Sequence, residues 1–187
     1  VLTEQRKLEE IGNFIRESID PQKMPDERFY EYSMPAYDRS RNPDMVFGET
    51  MHSNRIKISN YVLLINKLNV RQKRIWLVNA KFDNSVASSE FIPFKSKSID
   101  LKFLEQFLLS NRTTKKLESI SSGTSNSQKR ISPNDLLNFI VQIPYSRGEQ
   151  TIIGSLLKHI DDSIKFEEKR LSQLQQMKKY YLQKLFI

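Results

Sequence analysis

EQTIIGSLLKHIDDSIKFEEKRLSQLQQMKKYYLQKL, Glu149 to Leu185, carries an apolar stripe of helical period. Ile153, Leu157, Ile160, Ile164, Glu167, Leu171, Leu174, Lys178, Tyr181 and Leu185 follow one another at spacings of four and three, and eight of these ten are apolar. Such a heptad seam buries one narrow face of a helix against another helix. A helix over 149–185 would be about 55 Å long at its ordinary rise. A globule built from the preceding residues cannot cover a rod of that length. Ile152, Leu156 and Phe166 widen the stripe in its first turns, so these turns are expected to pack on the globular part. The later, narrower seam calls for a partner helix, and a homodimer through this helix is the expectation. The charged seam positions Glu167 and Lys178 weaken the pairing and fix its register.

Upstream, the reading is of a globular unit over 1–146, with 149–187 as a coiled-coil and spacer helix. The chain has 187 residues and 38% hydrophobic composition, enough for one cored domain plus this appendage. It has no cysteine, which removes disulfides and Cys-based metal sites and fits a reducing cytoplasm. The N-terminal VLTEQRKLEE is no signal peptide, and the longest apolar run, Tyr61–Ile65, is far too short to cross a bilayer. The first residue is not Met, which suggests a trimmed or excised chain.

Charge is segregated along the chain, whose net charge is +8. Residues 1–50 hold seven Lys/Arg against eleven Asp/Glu. Residues 53–81 hold Arg55, Lys57, Lys67, Arg71, Lys73, Arg74 and Lys81 without an acid, and 111–131 add Arg112, Lys115, Lys116, Lys129 and Arg130 against Glu118 alone. A chain patterned in this way can present one basic face to a polyanion.

The fold class expected is α+β. Arg55–Ile58 alternates as a half-buried strand, Phe29–Met34 is another strand, and Tyr61–Ile65 and Arg74–Val78 read as inner strands apolar on both faces. Trp76, on the last of these, is expected in the core. Ile99–Asn111 reads as a helix capped by Asp100, and Ser132-Pro133 opens a short one. Phe139–Pro144 returns to extended chain. The sheet is expected to be mixed and largely antiparallel, with short helices around it.

Signatures of catalysis are missing from the sequence. Met34-Pro35-Ala36-Tyr37 lacks the polar first residue and the second proline of an amino-methyltransferase motif. There is no P-loop, and His52 and His159 lack zinc-ligand spacing. Asp161, Asp162, Glu167, Glu168 and Lys169 spell a nuclease-like pattern, but on a helix where charge is ordinarily the solvated face. A binding module is favoured over an enzyme. The alternatives are a coiled-coil adaptor, which would not bind DNA in a salt-sensitive way, and a standalone endonuclease, which would cut with Mg²⁺.

The segment SSGTSNSQKRISPNDLL, Ser121 to Leu137, has the donors that suit a sugar-phosphate backbone: small hydroxyls, free N–H groups, Lys129 and Arg130, with Gln128 able to read a base edge. Ser122-Gly123-Thr124, Gln128-Lys129-Arg130-Ile131-Ser132, the Asp135-Leu136-Leu137 helix, the Ile140–Pro144 strand and Glu149-Gln150 stand in an order that resembles one family. It is the specificity (S) subunit of type I restriction–modification systems, with its Gly-Ser/Thr-x-Gln-x-x-Ile loop, Leu-x-x-Ile-x-Ile-Pro strand, Pro-Pro-Leu-x-x-Gln joint and conserved helix. Lys7–Gly12 resembles the start of the family's domain. Tyr32–Asp38, and Leu64–Asn69 followed by Arg74-Ile75-Trp76, resemble one subgroup of its target-recognition domains. Two departures stand out: an insertion, Ser125–Ser127, in the loop, and a joint that reads Pro144-Tyr145-Ser146-Arg147-Gly148 without the second proline.

The resemblance implies a target-recognition domain that reads half of a split site on double-stranded DNA, and a helix that spaces it from a second reader. It implies modification subunits as partners and, through them, the restriction subunit. S-adenosylmethionine, ATP and Mg²⁺ are expected only on those partners, and the chain itself does no chemistry. One domain and one helix make half of such a subunit. The residues expected to touch DNA are Arg55, Lys57, Arg71, Lys73, Arg74, Ser122, Thr124, Gln128, Lys129 and Arg130. Those of the helix interface are Ile153, Leu157, Ile160, Ile164, Leu171, Leu174, Tyr181 and Leu185.

Overall fold

The computed structural model of the chain describes residues 2–123 and 128–186. In chain order the elements are β1 (Thr3–Lys7), α1 (Leu8–Ile11), β2 (Asn13–Phe14), β3 (Ser18–Ile19), β4 (Arg28–Tyr32), α2 (Met34–Arg39), β5 (Asp44–Phe47), β6 (Arg55–Lys57), β7 (Asn60–Asn66), β8 (Ile75–Ala80), β9 (Ser85–Ser88), β10 (Phe91–Lys95), α3 (Leu101–Leu109), α4 (Asn111–Ser119), α5 (Pro133–Leu137), β11 (Ile140–Pro144) and α6 (Arg147–Leu185). The class is α+β, with a long C-terminal helix.

The strands fall into three sheets rather than one: β1-β11, β2-β10-β7-β8 and β3-β6-β9-β4-β5. All their pairings are antiparallel except β4 with β9. Strand β7 explains how two cores share one sheet. Leu63 and Ile65 point into a core with Phe94, Phe103, Leu104, Leu117 and Ile131, and Val62 and Leu64 point into another with Tyr32, Trp76, Val78 and Phe91. Alternation sends successive side chains to opposite faces, and here both faces are apolar. Trp76 is buried, with Tyr32, Tyr37 and Phe91 ring centroids at 5.1, 5.7 and 6.4 Å.

Strand β8 is not the inner strand its apolar pattern suggests; it is an edge of the four-stranded sheet. The sequence looks internal because α3 covers it. The buried Glu105 of α3 accepts the Leu77 N–H at 3.0 Å, so a side chain supplies a partner where a neighbouring strand is missing. Strand β4 also ends earlier than expected, at Tyr32, because Ser33 caps α2 by accepting the Ala36 N–H with Pro35 in the first turn. The expected helix over 99–111 is α3, capped by Asp100 as read from the sequence. Ser110 ends it and caps a second helix, α4.

Helix α6 runs for 39 residues, about 58 Å at the usual rise. Ser146 caps it, and Gln150, only 3% exposed, ties its first turn to the globule. The Gln150 amide donates to the Pro144 carbonyl at 2.9 Å and accepts the Asp100 N–H at 3.0 Å. Gly154 sits against α3 so closely that a Cβ there would lie 2.5 Å from the Phe103 nitrogen. Gln106 then donates to Asp161 at 2.9 Å. Ile153 packs on the core, whereas every residue from Asp162 to Phe186 is exposed.

Candidate nucleic-acid interface

Two of the basic segments meet. The loop after β7 and the loop before α5 are laced by main-chain hydrogen bonds: Asn69 N–H to the Lys129 carbonyl and Ile131 N–H to the Lys67 carbonyl, each 2.9 Å. Ser122 and Arg130 exchange N–H···O bonds at 2.9 and 2.8 Å, closing the base of the hydroxyl-rich loop. Asn66, buried at the end of β7, braces the first loop: its side chain donates to the Leu68 carbonyl at 2.7 Å and accepts the Leu68 N–H at 2.9 Å. Asn69 and Lys73 adopt positive φ, 51° and 49°, and let the first loop turn tightly. Gly123 has φ of 147°, a conformation that a side chain would strain.

Around this double loop lie Arg71, Lys73, Ser122, Gln128, Lys129 and Arg130. Arg71 forms an ion pair with Glu118 of α4, which joins the loops to that helix and to the exposed Arg112, Lys115 and Lys116. Arg71 and Lys129 hold the Glu118 carboxyl below its ordinary range, Arg71 through a hydrogen bond and its charge. The Lys73 ammonium donates to Asn111. Arg130 pairs with Glu90 at 2.8 Å and remains half-exposed. Thr124 lies outside the described residues.

The other expected contacts are placed differently. Arg55 sits on β6, in a different sheet, with its Nε 2.6 Å from Glu31, and both side chains are only 13% exposed. Arg74 makes a two-pronged pair with Asp38 at 2.9 and 2.7 Å and is 18% exposed. A phosphate at either guanidinium would have to displace a carboxylate already bonded to it. Lys57, exposed on β6, faces Glu17 at 4.0 Å.

A hollow of about 530 Å³ adjoins the double loop, with Arg16, Lys67, Ser89, Ser132 and Asn134 in its wall over a floor that includes Phe91 and Pro93. Its wall contains no carboxylate, and among the described residues neither Arg16 nor Lys67 has an ion-pair partner. Arg16 was hidden in the acidic first fifty residues, and only the fold brings it to the same hollow as Lys67. No signal in the sequence could have found it.

The helix stripe is the second feature of the site. Leu157, Ile160, Ile164, Leu171, Leu174, Tyr181 and Leu185 are all exposed, Leu171 by 56% and Leu185 by 71%. Ile153 alone of the expected interface residues is partly buried against its own globule. Exposed apolar patches of this extent are marks of interaction sites. Among the described residues no three His, Cys, Asp or Glu side chains are placed to hold a metal ion, and no helix is long and apolar enough to cross a membrane.

A braced double loop with cations at its rim thus sits on the same domain that holds the long helix. The family model of the type I restriction modification DNA specificity domain matches residues 2–176. The chain belongs to this family. Among solved structures of similar fold, the HsdS subunit of Thermoanaerobacter tengcongensis has a TM-score of 0.71 at 19% identity, covering 97% of this chain and 48% of that one. A chain from a study of complex assembly and conformational transition of the type I R-M system has a TM-score of 0.74 at 20% identity, covering 91% and 45%. The type I restriction–modification S subunit of M. genitalium reaches 0.62 at 14% identity, covering 100% and 46%. The specificity-domain chain thus spans about half the length of the structures it matches. No curated protein matches it.

Proposed function

We propose that this specificity-domain chain reads one half of a bipartite sequence in double-stranded DNA, and that two copies pair through α6 to make a complete reader. The pair holds modification subunits and, through them, the restriction subunit in the cytoplasm. It performs no chemistry; S-adenosylmethionine, ATP and Mg²⁺ belong to the partners. One observation carries the reading: a DNA-specificity domain is locked through Gln150 and Gly154 to a rod whose apolar stripe is exposed from Leu156 to Leu185. A lock of this kind transmits orientation, so the rod sets the distance between two readers. Two-fold pairing of identical readers implies an inverted-repeat site with one spacer length. Lys67, Lys129, Gln128 and Ser122 on the double loop, with Arg16 beside it, supply the phosphate and base-edge donors.

Retention of the purified chain on duplex DNA across a salt series tests the reading. The expected result is a steep linear fall of log affinity with log salt, because phosphate contacts release counterions. Retention that ignores salt would contradict it, and Mg²⁺-dependent cutting by the chain alone would make it an endonuclease.

A further inference from the structure

The seam of α6 carries two charges, Glu167 and Lys178, among the apolar residues Ile160, Ile164, Leu171, Leu174, Tyr181 and Leu185. All eight are exposed, the apolar six by 45% or more. Glu167 reaches only Arg170 of its own helix, 3.9 Å away in solvent. Lys178 has no ion-pair partner among the described residues. Charges at seam positions cost stability when they face apolar residues, and they select a register when they face each other.

Two copies of this seam can be laid together in several ways, and the charges discriminate among them. Parallel copies in register would set Glu167 against Glu167 and Lys178 against Lys178. Antiparallel copies turned about a two-fold axis between Ser172 and Gln173 set Glu167 of each against Lys178 of the other. The same axis brings Leu171 against Leu174, Ile164 against Tyr181 and Ile160 against Leu185, so each apolar seam residue from Ile160 onward meets another. A slide of one heptad moves the axis to Lys169. Lys178 then faces Ile160, Glu167 faces Leu171, and Glu168 and Arg170, beside the axis, each approach their own copy. The opposite slide sets Lys178 against Leu174 and Glu167 against Leu185. A two-fold axis brings the residues around it beside their own copies, and Leu171–Met177 is the longest uncharged run of the rod past Asp161.

We infer that the α6 seam is covered by the α6 of a second copy in this antiparallel register, with two crossed Glu167–Lys178 ion pairs flanking a Leu171–Leu174 centre. The register presupposes the proposed pairing through α6 and adds its orientation, its axis and the residues that meet. The two Gln150 anchors then lie about 68 Å apart along the pair at the ordinary helical rise. A one-heptad slide changes that separation by about 10 Å, or roughly three base pairs of duplex. The crossed charges therefore fix the spacer between the half-sites.

Charge exchange in the full chain tests the crossed pairs. Glu167→Lys and Lys178→Glu each place like charges on the seam and are expected to weaken dimerisation about tenfold or more in sedimentation. The double variant Glu167→Lys/Lys178→Glu restores opposite charges and is expected to recover the wild-type affinity. A double variant no tighter than the single ones would overturn the inference. All these positions are exposed, and an unchanged melting curve of the globule verifies the fold. Because the chain has no cysteine, introduced thiols report the register without background. Oxidation of mixed Ile164→Cys and Tyr181→Cys chains is expected to give a disulfide-linked dimer. Linkage of Ile164→Cys to Leu174→Cys in its place would show the heptad slide, and linkage of Ile164→Cys to itself would show parallel helices. Either result would overturn the register and leave the proposed pairing standing. A wild-type chain that stays monomeric at tens of micromolar would defeat the pairing, and the register with it.

Discussion

Single side chains separate the cations that hold the fold from those that are free to meet DNA. Arg55 faces Glu31 in a largely buried pair, whereas Lys129, partly exposed on the double loop, has no ion-pair partner among the described residues. Arg55→Ala strands the Glu31 carboxylate and is expected to cost about 3 kcal/mol in denaturant unfolding, with the salt dependence of DNA binding unchanged while the variant is folded. Lys129→Ala is expected to do the reverse, lowering the salt slope by about one and leaving stability within about 0.5 kcal/mol. Glu105 gives a pH-dependent case. Burial pushes its carboxyl above the ordinary glutamate range, against the opposing Leu77 N–H bond, and its Oε2 has no hydrogen-bond partner among the described residues. The folded chain therefore holds this proton to higher pH than the unfolded chain. The contribution is complete below the unfolded value and is lost as pH rises through the folded one. Glu105→Gln keeps an acceptor for Leu77 and cannot ionise. Its stability relative to wild type is expected to rise between acidic and mildly alkaline pH, as measured by urea unfolding at each pH. A flat difference would mean that Glu105 is charged in the fold.

Elements show where sequence patterns suffice and where they fail. Strand β7, the Asp100 cap, the Ser132-Pro133 start and the rod were legible because each is a local signal of period or capping. The pairing of β1 with β11 was not, since Thr3 and Pro144 become partners only through the fold. Helix α4, NRTTKKLES, was not read from the sequence, and it is helical because Ser110 caps it while Thr113, Thr114 and Leu117 are buried. The edge role of β8 was invisible, because Glu105 completes it from a distant helix. The candidate site divides similarly: charge runs marked both loops, but which arginine already holds a carboxylate is a tertiary fact. At the joint, which lacks the second proline, the Ser146 cap and the buried Gln150 hold the start of α6. Gln150→Ala leaves the Asp100 N–H and the Pro144 carbonyl without partners and is expected to cost about 2 kcal/mol in thermal or denaturant unfolding. On the rod, Leu171→Glu/Leu174→Glu places charge in the exposed stripe. Sedimentation at tens of micromolar is expected to change from a dimer to the mass of one chain, with globule melting unaltered. A wild-type chain that is itself strictly monomeric at that concentration would remove the pairing.

At the scale of the whole molecule, the distribution of function follows from rigidity. Gln150, Gly154 and the Gln106–Asp161 bond fix the direction in which α6 leaves the globule, so a dimer of such chains has one geometry and one distance between its double loops. Under the proposed pairing, that geometry makes a commitment about DNA that no single contact does: the two half-sites would be the same sequence, inverted, at a constant separation. Co-expression of the chain with its modification subunits, followed by sequencing of the methylated positions in the host DNA, measures this directly. The expected result is methylation within a split inverted repeat of a single spacer length. Methylation at a continuous or asymmetric sequence, or with variable spacing, would contradict a pair of identical readers joined by a rigid rod.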